Sequence, residues 1–309
     1  MQQIAFARPG SFFRGNLHTH SNASDGALPA QEVCQRYREA GYDFICLSDH
    51  FVGCYGYPIT DTREHRTNRF TTLLGAEIHS GALNNGEVWH LLAVGLPLDF
   101  TPPHAPDFAP VPGQETAAAL AERARAAGAF VAIAHPQWYG LTLTDALPIG
   151  AAHAVEIYNH GCETEADRGD GTALFDLMLD AGRRLTACAT DDAHLHPGNP
   201  DHFGGWVMVK AEANEPEALL AALKDGAYYS SQGPSLVDVV LSPEEIRVRC
   251  SPAVRVVALG ARSVSAVVHG AGLTEAALPL GPFREGGWIR VVAVDAGGRR
   301  AWSNPIWLD

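Results

Sequence analysis

The sequence predicts an α/β fold followed by a small all-β domain, and two observations support this. Short apolar runs alternate with amphipathic helical patterns over about the first 230 of the 309 residues. Repeated strand–helix units of this kind are typical of an α/β barrel or an open sheet with parallel strands. After Gly233-Pro234 the helical period stops, and apolar and polar residues alternate instead. A chain of this length suffices for one large and one small domain.

Eight short apolar runs predict the strands of the first domain, which we assign to residues 1–234. They cover residues 15–18, 44–48, 73–78, 88–95, 130–134, 155–158, 185–189 and 206–209. Amphipathic patterns between several of these runs predict helices at residues 29–40, 115–127, 172–181 and 215–224. A glycine lies within two residues of the end of each helix, as is typical of helix C-termini.

Two stretches interrupt the alternation. Residues 51–70 are rich in Gly, Tyr, Arg and Thr, and residues 97–112 contain six prolines. Long connections without a helical or strand pattern are typically functional loops. We therefore expect the proline-rich stretch to be a surface excursion or a lid.

The residues after 234 predict strands only. Alternating runs cover residues 236–241, 246–250, 255–259, 264–268, 288–294 and 301–308, with Gly or Pro between them. This spacing indicates a small β-sandwich domain at residues 235–309.

The charge balance and composition exclude several classes of protein. The net charge is −13, whereas proteins that hold long nucleic acids by their backbone are usually basic. No apolar run approaches the ~18 residues of a membrane span, and no basic and apolar leader follows Met1. We therefore expect a cytoplasmic protein that binds neither membranes nor long nucleic acid. Homo-oligomerisation stays open.

The cysteines and histidines differ in how they are placed. The six cysteines are scattered without a C-x-x-C pair, which argues against a disulfide framework and a thiolate zinc site. Imidazole and carboxylate side chains instead follow apolar runs, where predicted strands end. These residues are His18, His20, Asp25, Asp49, His50, Glu77, His90, His135, Asp191, Asp192 and His194.

This placement predicts a metal centre. In an α/β barrel the carboxyl ends of all strands meet at one mouth, where active sites form. Imidazole and carboxylate ligands without thiolate suit Mn²⁺, Fe²⁺ or Zn²⁺. Because there are more such side chains than one ion needs, we expect two or three divalent ions.

The same residues resemble the metal-binding motifs of the PHP (polymerase and histidinol phosphatase) family. The resemblance covers residues 15 to about 230 and rests on motifs that appear in the family's order. They are His18-Thr19-His20-Ser21, Asp25-Gly26, Ser48-Asp49-His50, Glu77, His90, Ala134-His135-Pro136 and the pair Asp191 and His194. Residues 228–234 and 301–306 further resemble the carbaryl-hydrolase-like branch, which appends a small β domain to the barrel.

The resemblance implies a distorted seven-stranded β/α (TIM-like) barrel with a trinuclear metal centre. The ligands implied for the first ion are His18, His20, Glu77 and Asp191. Those implied for the second are Glu77, as a bridge, with His90 and His135. Those implied for the third are Asp25, His50 and His194. His90 is preferred to His79 because it lies in a strand with an apolar continuation, as the family's ligand does.

Such a centre suits hydrolysis, because water between divalent ions has a pKa lowered toward about 7 and is a nucleophile at neutral pH. The leading hypothesis is a phosphoesterase acting on a small phosphorylated molecule such as a nucleotide or short oligonucleotide. A carbamate, ester or amide hydrolase is the alternative, since the same centre attacks a carbonyl. A non-catalytic module is a third hypothesis, which the complete ligand set disfavours.

Other residues are assigned supporting roles. The residues expected to act in catalysis are Glu77, Asp191, His194 and Arg168, with Arg168 binding the substrate phosphate from a polar loop at residues 161–171. An Arg aimed at the metals would favour phosphate, and an apolar slot would favour an aryl carbamate. The residues expected to orient ligands or contact substrate are Asp49, Asp192, Glu156, Asn159 and His160.

Overall fold

One mixed sheet runs through the whole molecule. The computed structural model describes residues 4–113 and 115–308. Its strands join in a sheet of 16 strands, and seven α-helices and three short 3₁₀ turns are seen in these residues. No helix in the described part of the chain is long and apolar enough to cross a membrane.

The first ten strands and all seven helices precede residue 234. The strands are β1 Ser11–Asn16, β2 Phe44–Leu47, β3 His50–Phe51, β4 Thr71–Ser80, β5 Trp89–Val94, β6 Phe130–Ile133, β7 Ala154–Asn159, β8 Thr186–Thr190, β9 Trp206–Ala211 and β10 Tyr228–Ser231. The helices are α1 Ile4–Ala7, α2 Ala30–Glu39, α3 Ala117–Ala126, α4 Leu143–Ala146, α5 His160–Ala166, α6 Thr172–Asp180 and α7 Pro216–Lys224. The four predicted helices correspond to α2, α3, α6 and α7, and α5 occupies part of the predicted polar loop.

The strand directions are more mixed than the sequence predicts. In this half the sheet order is β10-β9-β1-β2-β4-β5-β6-β7-β8. The pairs β1/β2, β2/β4, β6/β7 and β7/β8 are parallel, whereas β9/β1, β4/β5 and β5/β6 are antiparallel. Only residues 81–88 connect β4 to β5, and a connection that short allows a hairpin but no crossover.

The sheet curls until the chain beyond β1 meets the chain beyond β8. Thr19 and Ala193 form a parallel bridge, and the His20 N–H donates to the Ala193 carbonyl at 2.9 Å. The Asp192 N–H donates to the His18 carbonyl at 2.9 Å. The described strands thus form one curled mixed sheet in which β8, at one end of the strand order, returns to the interior strand β1 through these few bonds. The seven-stranded barrel stays a prediction.

The C-terminal strands continue the same sheet. They are β11 Leu236–Leu241, β12 Glu245–Gly260, β13 Ser265–Pro279, β14 Trp288–Val294, β15 Arg300–Ser303 and β16 Ile306–Trp307. β15 pairs with β10, so this region is not a sandwich separate from the first sheet. Its strands share an apolar core that also includes Tyr229 of β10. An ion pair between the buried Arg290 of β14 and the half-buried Asp176 of α6 (2.7 Å) ties it to the helices. The division at residue 234 stays a prediction.

Candidate metal centre

Imidazole and carboxylate side chains converge where the chain leaves β1, β2, β6 and β8. His18 and His20 follow β1, His50 begins β3 just after β2, and His135 follows β6. Residues two apart in an extended segment point to the same side, which brings His18 and His20 together. All four imidazoles are at most 7% exposed. The fold thus brings together imidazole and carboxylate side chains that lie up to about 180 residues apart in the sequence.

Glu77 lies at the centre of this cluster. Its Oε1 is 2.7 Å from His90 Nδ1 and 3.0 Å from His135 Nε2. Its Oε2 is 2.7 Å from His50 Nδ1 and 3.4 Å from His18 Nε2. A carboxylate whose two oxygens face different imidazoles is placed to contact two cations.

Four groups of side chains have donor atoms close enough to hold a cation, within 4.8 Å of one another. They are His20, Asp25, His50 and His194; His50, Glu77, His79 and His90; His18, Glu77 and His135; and His18, His20 and Asp192. The structure therefore brings together eight of the nine predicted ligands, with Asp191 as the exception. How many ions the groups bind, and which, stays a prediction.

Buried polar atoms without a hydrogen bond indicate whether these side chains are suited to bind a metal ion. Six buried atoms of the cluster have no hydrogen bond of acceptable geometry: His18 Nε2, His20 Nδ1, Asp25 Oδ1, Glu77 Oε2, His79 Nδ1 and His135 Nδ1. Three of them, His18 Nε2, Asp25 Oδ1 and Glu77 Oε2, lie within 3.5 Å of another donor atom of the cluster. A buried polar group left unsatisfied costs about 1–3 kcal/mol, so such a concentration in one place needs a partner. Neutral imidazole nitrogens and carboxylate oxygens without thiolate fit divalent Mn, Fe or Zn.

The ionisation of the cluster supports the same conclusion. Burial disfavours the charged form of Glu77, but His50 and His90 outweigh burial and hold the pKa of its carboxyl well below the usual range. Burial lowers the pKa of His50, yet Glu77 and Asp25 raise it to about 10. His20 shows the opposite result, because burial, His50 and His194 lower its pKa to about 4. The carboxylates are thus ionised and draw positive charge into a buried site.

Asp191, a predicted ligand, lies outside the four groups. Its carboxylate accepts hydrogen bonds from the Tyr37 hydroxyl (2.7 Å) and from three backbone N–H groups, those of residues 203, 204 and 205 (2.8–3.0 Å). Asp192 takes its place in the cluster, with Oδ1 3.0 Å from Nε2 of both His18 and His20. The reason is the backbone of Asp192, whose φ of 56° turns its side chain into the cluster.

His79 is a cluster member that the sequence analysis set aside. It shares a face of β4 with Glu77 and lies opposite His90 in the β4/β5 register. It is fully buried, and its Nε2 is 3.0 Å from His50 Nδ1. The two-residue spacing from Glu77 was the signal, because alternation places both side chains on one face of the strand.

Of the residues assigned supporting roles, Glu156 and Asn159 bond residues of the cluster, whereas Asp49 bonds a neighbouring loop. Glu156 accepts a hydrogen bond from His18 Nδ1 at 2.8 Å and so fixes that imidazole. Asn159 donates to Asp192 Oδ2 at 3.1 Å and to Glu156 Oε2 at 3.0 Å. Asp49 orients no imidazole by a hydrogen bond. It accepts from Ser21 and Ser24 and anchors the loop that carries Asp25.

His160 and Arg168 lie outside the cluster. His160 pairs with the Tyr158 hydroxyl at 2.9 Å. Arg168 follows α5, is exposed, and donates to the Trp138 carbonyl at 3.1 Å. The side chain of Arg168 thus bonds a backbone carbonyl, and its predicted phosphate contact stays a prediction. Helix α5 ends before a left-handed Asp167 (φ 57°), and the side chain of Arg168 directly after it is exposed.

A cavity of about 310 Å³ opens beside the cluster. Its lining contains no Arg or Lys among the described residues and combines cluster ligands with apolar side chains. The lining residues are Asp25, His50, Glu87, Val88, His90, Phe108, His135, Trp138, Gly161, Cys162, Glu165, Asp192 and His194. The cavity size is at the lower end of small-molecule sites, about 300–1,000 Å³.

Comparison with solved structures identifies the fold. The chain is similar to a two-domain protein from Bacteroides vulgatus ATCC 8482 that contains a predicted PHP-like metal-dependent phosphoesterase, with a TM-score of 0.54, 16% identity and 93% of each chain covered. It is also similar to a putative metal-dependent phosphoesterase from Bifidobacterium adolescentis ATCC 15703 (TM-score 0.44, 14% identity, 61% of this chain and 90% of that one). A third structure is an amidohydrolase from Chromobacterium violaceum with bound sulfate and no metal (TM-score 0.46, 16% identity, 61% and 90%).

No protein-family model and no curated protein matches the chain. The first similarity covers nearly the whole of both chains, so the two proteins share a fold from the curled sheet through the C-terminal strands.

Proposed function

We propose that the protein is a metal-dependent hydrolase that cleaves a phosphoester bond of a small molecule. The observation that carries this proposal is the buried cluster around Glu77, whose unpaired nitrogen and oxygen atoms lie beside a cavity of about 310 Å³. The fold shared with a protein that contains a predicted phosphoesterase supports the same reading.

Divalent cations bound by the cluster would lower the pKa of a water molecule to about 7 and neutralise charge on the scissile group. The protein's own residues hold the donor atoms in place. Glu156 keeps His18 Nδ1 in a hydrogen bond at 2.8 Å, which leaves Nε2 free to bind a cation. Asn159 fixes Asp192 in the same way. Such outer hydrogen bonds orient metal ligands and raise their affinity.

Hydrolysis of a carbamate, ester or amide is the second candidate, and one observation favours it. The described lining of the cavity has no Arg or Lys to meet a phosphate, and its other walls are partly apolar. For a phosphoester the bound cations would have to supply all of the positive charge. A carbonyl group has no such requirement.

A panel of substrates with one leaving group separates these candidates. Mn²⁺-loaded protein is given p-nitrophenyl phosphate, bis(p-nitrophenyl) phosphate, p-nitrophenyl acetate and p-nitrophenyl N-methylcarbamate, so that only the electrophile changes. We expect the phosphate esters to be cleaved with the highest kcat/KM. Turnover of the carbonyl substrates alone would replace the proposal by the second candidate, and turnover of none would refute a hydrolase.

Two variants and a control show whether the cluster is responsible. Glu77→Gln and Asp192→Asn should each lower kcat/KM by at least about 10–100-fold, the usual effect of disturbing a metal site. His269→Ala, which changes an exposed histidine on β13, should leave it unchanged.

A further inference from the structure

Two exposed aromatic rings border the cavity beside the cluster. Among the described residues, seven large hydrophobic side chains are exposed, and the two aromatic ones are Phe108 at 37% and Trp138 at 40%. Both line the same cavity, although they come from different connections, the proline-rich stretch after β5 and the turn after His135. Aromatic side chains that line one cavity together with a few polar groups are typical of small-molecule sites.

Both rings stand directly against the donor cluster. The centroid of the Phe108 ring is 6.2 Å from that of His90, and the centroid of the Trp138 ring is 5.8 Å from it. Phe108 also lies 4.9 Å from His50, and Trp138 lies 5.3 Å from His135. An apolar group in contact with either ring would therefore lie beside the imidazoles of the cluster.

Each of the two rings packs against a neighbouring tyrosine. Tyr55 packs edge-on against Phe108 at 6.1 Å, and Tyr139 packs edge-on against Trp138 at 6.1 Å. The backbone carbonyl of Trp138 accepts a hydrogen bond from Arg168. Both aromatic residues thus have packing partners and still remain more than a third exposed.

The remaining charges of the cavity are negative. Outside the cluster, the charged residues of the described lining are Glu87 and Glu165, and both are exposed at the rim. A rim of one sign disfavours ligands that carry the same sign. The cavity is thus suited to a substrate with no anionic group beyond the one that reacts.

From these observations we infer that Phe108 and Trp138 form a subsite for a flat apolar group of the substrate, and that Glu87 and Glu165 exclude a second anionic group. The inference rests on the proposed function, because it takes the scissile bond to lie at the cluster. The favoured substrate class is a small ester with an aromatic or similarly flat apolar substituent. Nucleoside polyphosphates and oligonucleotides, with several negative charges, are disfavoured.

Substrates with matched leaving groups test the subsite. Mn²⁺-loaded protein is given 2-phenylethyl phosphate, ethyl phosphate and 2-(4-carboxyphenyl)ethyl phosphate, whose leaving groups are all primary alkoxides of similar reactivity. We expect kcat/KM for the phenylethyl ester to exceed that for the ethyl ester by about 10-fold or more, the usual effect of filling an apolar pocket. The added carboxylate should remove most of this preference.

Variants assign the preference to the two rings. Phe108→Ala and Trp138→Ala should each bring the phenylethyl-to-ethyl ratio toward one, mainly through KM, whereas Phe108→Leu and Trp138→Phe should retain part of it. Leu177→Ala changes an exposed hydrophobic residue outside the cavity lining and should leave the ratio unchanged. An equal kcat/KM for both esters, or a ratio unaffected by either alanine variant, would overturn the subsite.

Direct binding separates this inference from the proposed function. The affinities of 2-phenylethylphosphonate and ethylphosphonate, which have no cleavable ester bond, are measured by calorimetry on the Mn²⁺-loaded protein. If no ester is hydrolysed, but the phenylethyl compound binds about 10-fold more tightly and loses this advantage in Phe108→Ala, the proposed function fails and the subsite stands. If esters are hydrolysed and the two phosphonates bind equally, the subsite fails and the function stands.

Discussion

His79 and His90 face each other across β4 and β5, with ring centroids 4.3 Å apart and nearly perpendicular rings. This pairing places His79 on the side of the sheet that carries Glu77. The hairpin therefore supplies three donor side chains to the cluster rather than the two that the sequence analysis assigned to it.

We predict that His79→Ala lowers metal content, although it lies outside the ligand set implied by family resemblance. Its Nε2 is 3.0 Å from His50 Nδ1, and its loss removes either a donor or the group that holds His50. Disturbing such a group costs about 10–100-fold in metal affinity. Elemental analysis of protein equilibrated with limiting Mn²⁺, with His269→Ala as the control, measures the effect. Unchanged metal content would show that His79 only fills space.

Substitution of Asp192 should lower the metal content, whereas substitution of Asp191 should lower the free energy of unfolding. Asp192→Asn should lose metal while its free energy of unfolding in chelator stays near that of the wild type. Asp191→Asn turns an amide N–H₂ toward backbone donors and should lower the free energy of unfolding by about 1–3 kcal/mol. Urea unfolding and metal analysis of both variants check this. Metal loss in Asp191→Asn without loss of stability would restore Asp191 as a ligand.

Arg168→Ala should have little effect on hydrolysis. The side chain is exposed, bonds a backbone carbonyl and does not line the cavity. Exposed substitutions of this kind usually change free energies by about 0.5 kcal/mol or less, so kcat/KM should stay within about threefold. A loss of about 100-fold for a phosphate ester would mean that Arg168 reaches the substrate after all.

Because the pKa of His153 is lowered in the folded state, the free energy of unfolding should fall in mild acid. Burial, Arg125 and Lys224 lower its pKa to about 4 from the ordinary 6.5, and its Nδ1 accepts a hydrogen bond from the Val131 N–H at 3.0 Å. Between these two values the unfolded chain binds more protons than the folded one, so stability falls as the pH drops from about 6.5 toward 4.

We therefore expect His153→Gln to lose less stability than the wild type between pH 7 and pH 5, since glutamine cannot take up a proton. Urea unfolding of both chains in chelator gives the two differences, and the titrating groups of the cluster are common to both. Equal losses would show that His153 titrates normally in the folded state.

Several features of the fold and the site follow from the sequence alone. Predicted strands that end in His18, His20, His50 or His135 were enough to place these side chains together, because the carboxyl ends of neighbouring parallel strands meet at one edge. Helices α2, α3, α6 and α7 follow from apolar periodicity and the glycines that end them. Helix periodicity and the residue types at strand ends involve only neighbouring residues, so both can be read from a single sequence.

The tertiary structure decided what depends on pairing and on single backbone angles. The choice between Asp191 and Asp192 is set by a left-handed φ of 56° at Asp192 and by the backbone donors of residues 203–205. Gly205 permits that approach, since a Cβ there would lie 2.4 Å from the Thr190 carbonyl oxygen. Apolar periodicity gives no information on either point.

The same limit applies to the sheet and to the cavity. The β4/β5 hairpin is local, but its register, which sets His79 opposite His90, is a matter of strand pairing. The join between β10 and β15 and the aromatic walls at Phe108 and Trp138 depend on contacts between segments far apart in the sequence. Each contact is fixed by how the strands curl and pack, and not by the composition of either segment. The sequence by itself therefore determined which kinds of side chain meet at the cluster, and the packing of the chain determined which individual residues they are.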